Sequence, residues 1–170
     1  MDERPVWQGA GAIYLCIPAL SATLIREAPE GIWIIVGLFV AVWATDTGAL
    51  VAGNLIGGRK LAPVISPNKT WSGTLGGIAA AAIVELAFMA FIGGNLALGA
   101  FYGAAVAVVA HSGDLLESWM KRKFQRKDSG SLIPGHGGML DRIDSTLSAV
   151  TAVAALVFLL HVDPLFGARP

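Results

Sequence analysis

Apolar residues in this chain run in unbroken stretches instead of alternating with polar ones. Long stretches occupy residues 31–56, 73–92, 96–117 and 145–162, and a shorter one at 10–25 contains Pro18. A helix needs about 20 apolar residues to cross the hydrocarbon core of a bilayer. Backbone groups in lipid must be bonded within the chain, so each stretch is expected to be a helix. The 10–25 stretch fits either a marginal span or a re-entrant piece. No period-two alternation persists over the length a barrel strand needs. The pattern predicts an all-α, polytopic transmembrane helical bundle with about five membrane segments. It reads as a single membrane-embedded domain over 1–170, with polar loops at 57–72 and 118–144.

Composition supports lipid as the solvent. The chain is 55% hydrophobic and 14% charged, against about 25% charged in a soluble domain. A soluble core of this size has too little interior to hide so much apolar surface. The 21 glycines suit membrane helices, whose backbones approach closely at small residues. Formal net charge is zero, so no bulk field points to nucleic acid. Cys16 cannot form an intramolecular disulfide, and its apolar neighbours predict a packed thiol. The opening residues lack the basic segment of a secretory signal peptide.

Lys and Arg are unevenly spread. Arg59, Lys60 and Lys69 lie in the 57–72 loop, and Lys121, Arg122, Lys123, Arg126, Lys127 and Arg142 lie in the 118–144 loop. The turns at 26–30 and 93–95 carry only Arg26. The positive-inside rule then places both basic loops in the cytoplasm and the two sparse turns outside.

Candidate chemistry collects on that cytoplasmic face. Asp46 interrupts a span in Trp-Ala-Thr-Asp-Thr-Gly, and a carboxylate in the membrane is costly unless paired, hydrated or bound to metal. Ser66, Lys69, Thr70 and Ser72 precede the 73–92 span, where a helix N-terminus beside a lysine and hydroxyls suits a phosphate. Asp114, Glu117 and Ser118 stand at spacings of three and four, so they share a helix face. Asp141 and Asp144 share another, where the last helix begins. Two acidic helix ends meeting there would form the oxygen-rich setting that suits Mg²⁺. The basic cluster beside them suits phosphates and anionic lipid. The glycine loop Pro134-Gly135-His136-Gly137-Gly138 offers backbone N–H groups to a phosphate.

Plainer explanations cover other residues. Basic clusters next to spans commonly serve topology alone. His111 and His161 read as structural or interfacial. Glu85 lies deeper, where a partner on a neighbouring helix is expected. Trp7, Trp33, Trp43, Trp71 and Trp119 fall mostly near span ends, as interfacial anchors do.

Ser118-x-x-Lys121-Arg122, Lys127-Asp128-Ser129-Gly130 and Pro134-Gly135-His136-Gly137-Gly138-x-x-Asp141-Arg142-x-Asp144-Ser145 together resemble the long motif of bacterial phosphatidate cytidylyltransferases. Asp46-Thr47-Gly48-Ala49 with Gly53, and Leu61-Ala62-Pro63 through Ser66-Pro67-x-Lys69-Thr70-Trp71, are similar to upstream segments of that family. The resemblance covers about residues 40–150 and identifies the conserved C-terminal half; the family's further N-terminal spans are expected to be absent from this chain.

The resemblance implies transfer of a cytidylyl group from CTP to phosphatidate, giving CDP-diacylglycerol and pyrophosphate. It implies Mg²⁺ on Asp114, Asp141 and Asp144, with a second cation possible, and Lys127 and His136 as further catalytic residues. Lys69, Ser66, Thr70, Lys121, Arg122, Arg142 and Asp46 would bind substrate. The expected partners are CTP, phosphatidate, membrane lipids and a second copy in a homodimer, with no nucleic acid. The expected location is the bacterial inner membrane, with the site facing the cytoplasm. Competing readings are a related CTP-dependent transferase on another lipid phosphate, an inactive truncated remnant, and a small transporter lined by Asp46 and Glu85.

Overall fold

A computed structural model describes residues 4–125, 129, 140 and 143–159. Five helices and one small hairpin follow in order: α1 (Arg4–Glu27), α2 (Gly31–Ile56), β1 (Lys60–Ala62), β2 (Ser66–Thr70), α3 (Trp71–Ile92), α4 (Leu96–Lys123) and α5 (Asp144–Leu159). The polytopic helical bundle expected from the apolar stretches is present. α1 to α4 are each long and apolar enough to cross a membrane. Their outward faces carry side chains that water would reject: Leu55 and Phe91 are each 81% exposed. Lipid contact removes that penalty.

The 10–25 stretch belongs to a full-length helix. α1 has 24 residues and continues through Pro18. Proline removes one helical N–H, a loss that membrane helices tolerate. Cys16 lies on the exposed side of α1, so the packed thiol expected from its neighbours is corrected to an exposed one.

The core lies where α1, α2, α3, α4 and α5 converge. Ile25, Ile34, Leu38, Val42, Met89, Val106 and Val150 fill it, with small residues such as Ala110, Ala149 and Ala154 between them. α2 and α3 meet through glycine. A Cβ on Gly48 would lie 2.5 Å from Ala80 Cβ and 2.9 Å from the Gly76 carbonyl oxygen. The backbones therefore touch, which substitutes dispersion contact for the hydrophobic force that lipid does not provide. Glu85 is fully buried in α3, facing Gly37 of α2 and Gly103 of α4. The expected partner on a neighbouring helix is not found: neither carboxylate oxygen has a hydrogen-bond partner among the described residues.

The 57–72 loop holds a hairpin that the apolar pattern did not predict. β1 and β2 pair antiparallel, Lys60 opposite Thr70 and Ala62 opposite Ser66. Gly57 and Gly58, at φ +64° and +100°, turn the chain out of α2 into it. The Trp71 N–H donates to the Arg59 carbonyl oxygen at 3.0 Å. Ser72 Oγ donates to the Gly57 carbonyl oxygen at 2.5 Å. Thr70 caps α3, its Oγ1 accepting from the Gly73 N–H at 3.1 Å. Thr70→Ala should lower stability by about 1 kcal/mol, the usual value of such a cap. Thermal unfolding in a bilayer mimic checks this, and an unchanged midpoint would deny the cap.

α4 continues to Lys123, past the expected limit at 117. At 1.5 Å per residue its 28 residues span about 42 Å, more than the ~30 Å hydrocarbon core. Lys121, Arg122 and Lys123 form its last turn, where cations complement the helix dipole. Lys123 Nζ sits 4.4 Å from the Trp7 ring centroid, which joins the N-terminal end of α1 to this end of α4.

Candidate active site

Two helices bring three carboxylates together. Asp114 and Glu117 lie one turn apart on α4, and Asp144 opens α5. One carboxylate oxygen from each lies within 4.8 Å of the other two. Gly113 makes the approach possible. A Cβ there would collide with Ser148 of α5 and stand 3.3 Å from the Asp144 carbonyl oxygen. Asp144 Oδ1 also accepts from the Ser145 N–H at 2.7 Å, and an acid in the first turn suits the α5 dipole.

The cluster is buried: Glu117 is 1% and Asp144 8% exposed. Buried charge must be compensated. Lys69 Nζ stands 2.5 Å from Asp114 Oδ2, and Lys121 Nζ stands 2.6 Å from Glu117 Oε2. Ser118 Oγ donates to Asp114 Oδ1 at 3.3 Å. Among the described residues, three carboxylates thus meet two lysines. An all-oxygen donor set with surplus negative charge fits a hard divalent cation.

A cleft of about 580 Å³ opens beside Asp114. Asp46, Asn54 and the glycines at 53, 57 and 58 line one wall; Lys60, Asn68, Lys69 and Thr70 of the hairpin line another. Gly73 and Thr74 of α3 and His111 of α4 complete it with Asp114. Its volume lies in the range of small-molecule sites, about 300–1,000 Å³. The hairpin turns Lys69 inward, so one lysine links the cleft to the carboxylates. Glycine at 53 keeps the wall low, since a Cβ there would come 3.2 Å from Thr70 Oγ1.

The structure brings Asp46, Lys69, Thr70 and Asp114 to this cleft, with Asp144 and Lys121 in the adjoining cluster. Ser66 lies outside the cleft lining, at the turn end of β2 opposite Ala62. Arg122 Nε donates to the Ile65 carbonyl oxygen at 3.3 Å, so it holds the hairpin tip. Lys127, His136, Asp141 and Arg142 lie outside the described residues. Two residues were not placed in the site by sequence. Glu117 shares the Asp114 face at a three-residue spacing visible in the sequence, but the cation ligands expected from the sequence are Asp114, Asp141 and Asp144 without it. His111 precedes Asp114 by three on the same face and lines the cleft, although the sequence alone reads it as structural or interfacial.

Comparison with known proteins decides the family. The sequence matches the family described as "Cytidylyltransferase family" over residues 6–160. A phosphatidate cytidylyltransferase of Brucella suis biovar 1 (strain 1330) is 46% identical over 155 residues, covering 90% of this chain and 56% of the relative. This chain belongs to the cytidylyltransferase family. The family member from Haemophilus influenzae, also called phosphatidate cytidylyltransferase, is 43% identical over 162 residues, covering 88% of this chain and 56% of its own. That of Staphylococcus saprophyticus is 48% identical over 124 residues, covering 72% and 48%. The chain spans about half the length of the curated relatives it matches. In cytidylyltransferase terms, the clustered carboxylates and the lysine-lined cleft occupy one neighbourhood of the matched region.

Proposed function

We propose that this chain transfers a cytidylyl group from CTP to phosphatidate, giving CDP-diacylglycerol and pyrophosphate, at the cytoplasmic face of a bacterial inner membrane. The observation that carries the reading is Asp114, which belongs at once to the acidic cluster and to the nucleotide-sized cleft. The names of the relatives supply the substrates.

Both substrates are polyanions, so the residues must first cancel charge and hold the reactants in line. Lys69 stands where the cleft meets the carboxylates and would bind CTP phosphate there. Lys121, held by Glu117, would serve the lipid phosphate beside it. Lys127, His136 and Arg142 would add to the same phosphate-binding set. Asp114 and Asp144, with Asp141 and with Glu117 added to the set, would hold Mg²⁺. A bound Mg²⁺ would supply positive charge for the phosphate oxygens and the departing pyrophosphate.

A phosphatidate oxygen attacks the α-phosphorus of CTP, a new P–O bond forms, and the bond to the β-phosphate oxygen breaks. Pyrophosphate carries away that electron pair. A phosphate monoester is largely ionised near neutral pH, with a second pKa of about 6. No side chain is therefore needed to remove a proton from the nucleophile.

CTP labelled at the α-phosphate tests the reading with the purified chain in bilayers. Label should enter the lipid fraction with phosphatidate and Mg²⁺, and far less with an isoprenoid-ether phosphate. Preference for the ether lipid would reassign the acceptor; uptake of an ion without CTP dependence would favour a transporter. Lys69→Ala should lower kcat/KM for CTP by about 10- to 100-fold, the worth of one charge-assisted hydrogen bond. Steady-state kinetics check it, and an unchanged value would remove Lys69 from the site.

A further inference from the structure

Lys69 reaches the acidic cluster from outside the two helices that build it. It belongs to β2, whereas Asp114 and Glu117 lie on α4 and Asp144 on α5. Its Nζ meets Asp114 Oδ2 at 2.5 Å. That ammonium is buried, and among the described residues no group other than Asp114 bonds it. Lys121 differs, since it pairs with Glu117 four residues away on its own helix. The second Asp114 oxygen is engaged too: Oδ1 accepts from Ser118 Oγ at 3.3 Å. The carboxylate shared by cleft and cluster is therefore covered by a positive charge carried on a separate element.

A tethered ammonium and a divalent cation call for the same oxygen. Mg²⁺ binds carboxylate oxygens at about 2.0–2.1 Å, and a charged N–H donor sits about 2.7–2.9 Å from its acceptor. With both on Oδ2, the two positive centres would stand about 4 Å apart. Like charges that close repel, most of all where burial weakens screening. Yet a buried ammonium that loses its one carboxylate is costly as well. Lys69 then needs another anion, and it already lines the cleft of about 580 Å³ beside Thr70, Gly73 and Thr74. Those residues form the N-terminal end of α3, which itself favours a phosphate.

We infer that Lys69 and a divalent cation exclude each other at Asp114, and that Lys69 turns to a phosphate in the cleft when a cation takes that carboxylate. The phosphate as new partner rests on the proposed function; the competition for Asp114 does not. The exchange makes the cation and an anionic nucleotide assist each other. A cation alone leaves Lys69 without an anion, and a nucleotide alone draws Lys69 away and leaves Asp114 without a cation. Linkage requires each to raise the affinity of the other by the same factor. The hairpin need not move. β2 stays paired to β1 and Arg122 holds its tip at Ile65, so rotation of the lysine side chain suffices.

Mn²⁺ titration of the full chain in phosphatidylcholine nanodiscs, read by electron paramagnetic resonance without CTP or phosphatidate, tests the competition. Lys69→Met keeps an unbranched side chain without the charge, and should tighten Mn²⁺ binding about tenfold, the size of a typical coupling. Lys60→Met removes a cleft lysine that has no carboxylate partner among the described residues. It should tighten Mn²⁺ binding by about twofold or less, as a screened charge does. CTP binding should weaken in Lys69→Met, a change of opposite sign that a packing role would not produce. Equal tightening in both variants would reduce Lys69 to a general field. Unchanged or weaker Mn²⁺ binding in Lys69→Met would make the lysine a support for Asp114. Either result overturns the exchange. If Lys69→Met does not fold, the unmodified chain decides: acetic anhydride should label Lys69 several times faster with Mg²⁺ than with EDTA, and Lys60 at the same rate in both. Lys69 labelling that ignores Mg²⁺ would refute the inference. Neither readout needs turnover, so a chain that shows the exchange but forms no CDP-lipid would fail the proposed function alone. A chain that forms CDP-lipid while Lys69→Met leaves Mn²⁺ affinity untouched would fail the exchange alone.

Discussion

Asp114→Asn should abolish cation-dependent CDP-lipid formation, a loss of about 10³-fold or more. Removing one anionic ligand weakens hold on a divalent cation whose charge supplies several kcal/mol to the transfer, and each 1.36 kcal/mol is a factor of ten in rate. Asparagine has nearly the same shape, so Ser118 keeps a hydrogen-bond acceptor at that position. Lys69 loses its carboxylate partner, which compounds the effect on the cleft. Stability should fall modestly, because the mostly buried Lys69 ammonium keeps its charge and loses its partner. Labelled-CTP turnover, read beside thermal unfolding, checks both halves. A folded variant with near-normal rates would take Asp114 out of the mechanism.

Gly113→Ala should be almost as damaging, although it adds one methyl group and removes no polar atom. The new Cβ would meet both Oγ and Cβ of Ser148. Rotating the hydroxyl relieves the first contact, but Ser148 Cβ is fixed to the α5 backbone. α4 and α5 must therefore part by about an ångström, and Asp144 moves with α5 away from Asp114 and Glu117. A misplacement of about 1 Å can lower a rate by about 10²-fold. A double-mutant cycle separates this cause from a general loss of stability. Ser148→Gly removes the obstructing atom, so the double variant should recover most of the activity that Gly113→Ala loses, relative to Ser148→Gly alone. No recovery would show that Gly113 acts otherwise than by spacing the two helices.

The two variants show which parts of the site could be read along the chain. The acid pair on α4 was legible because helical spacing puts 114 and 117 on one face whatever the tertiary structure. The span at 31–56 was legible for a similar reason: α2 starts at Gly31 and ends at Ile56, where the apolar run does. Local patterns failed where the decision was not local. α4 runs six residues beyond the apolar stretch to Lys123, because Lys and Arg are good helix formers and suit a C-terminal turn. The hairpin was missed because strands of three and five residues are too short to alternate visibly. Pro67 within β2 also argues against a strand unless it lies at an edge. The Pro18 helix was ambiguous because only lipid and neighbouring helices decide whether a proline ends a span. Gly113 and Ser148 are far apart in sequence and meet only when α4 packs on α5. Nothing in either neighbourhood announces that contact.

The basic residues divide in a way composition does not foretell. Lys69 and Lys121 point at carboxylates, Arg122 holds the hairpin tip, and Lys123 lies over the Trp7 and Trp119 rings. Of the basic run that ends α4, only Lys121 pairs with the acidic cluster among the described residues. Each lysine that faces the cluster offsets one carboxylate, and the remaining negative charge suits a cation.

Divalent-cation binding by the α4–α5 cluster is the claim on which the rest depends, and Mn²⁺ as a paramagnetic stand-in for Mg²⁺ measures it directly. Titration of the purified chain in nanodiscs, followed by electron paramagnetic resonance without CTP or lipid, should show saturable binding that Mg²⁺ displaces. Asp114→Asn and Asp144→Asn should each weaken it at least tenfold, in step with their loss of CDP-lipid formation. Mn²⁺ binding unchanged in both folded variants would contradict the account.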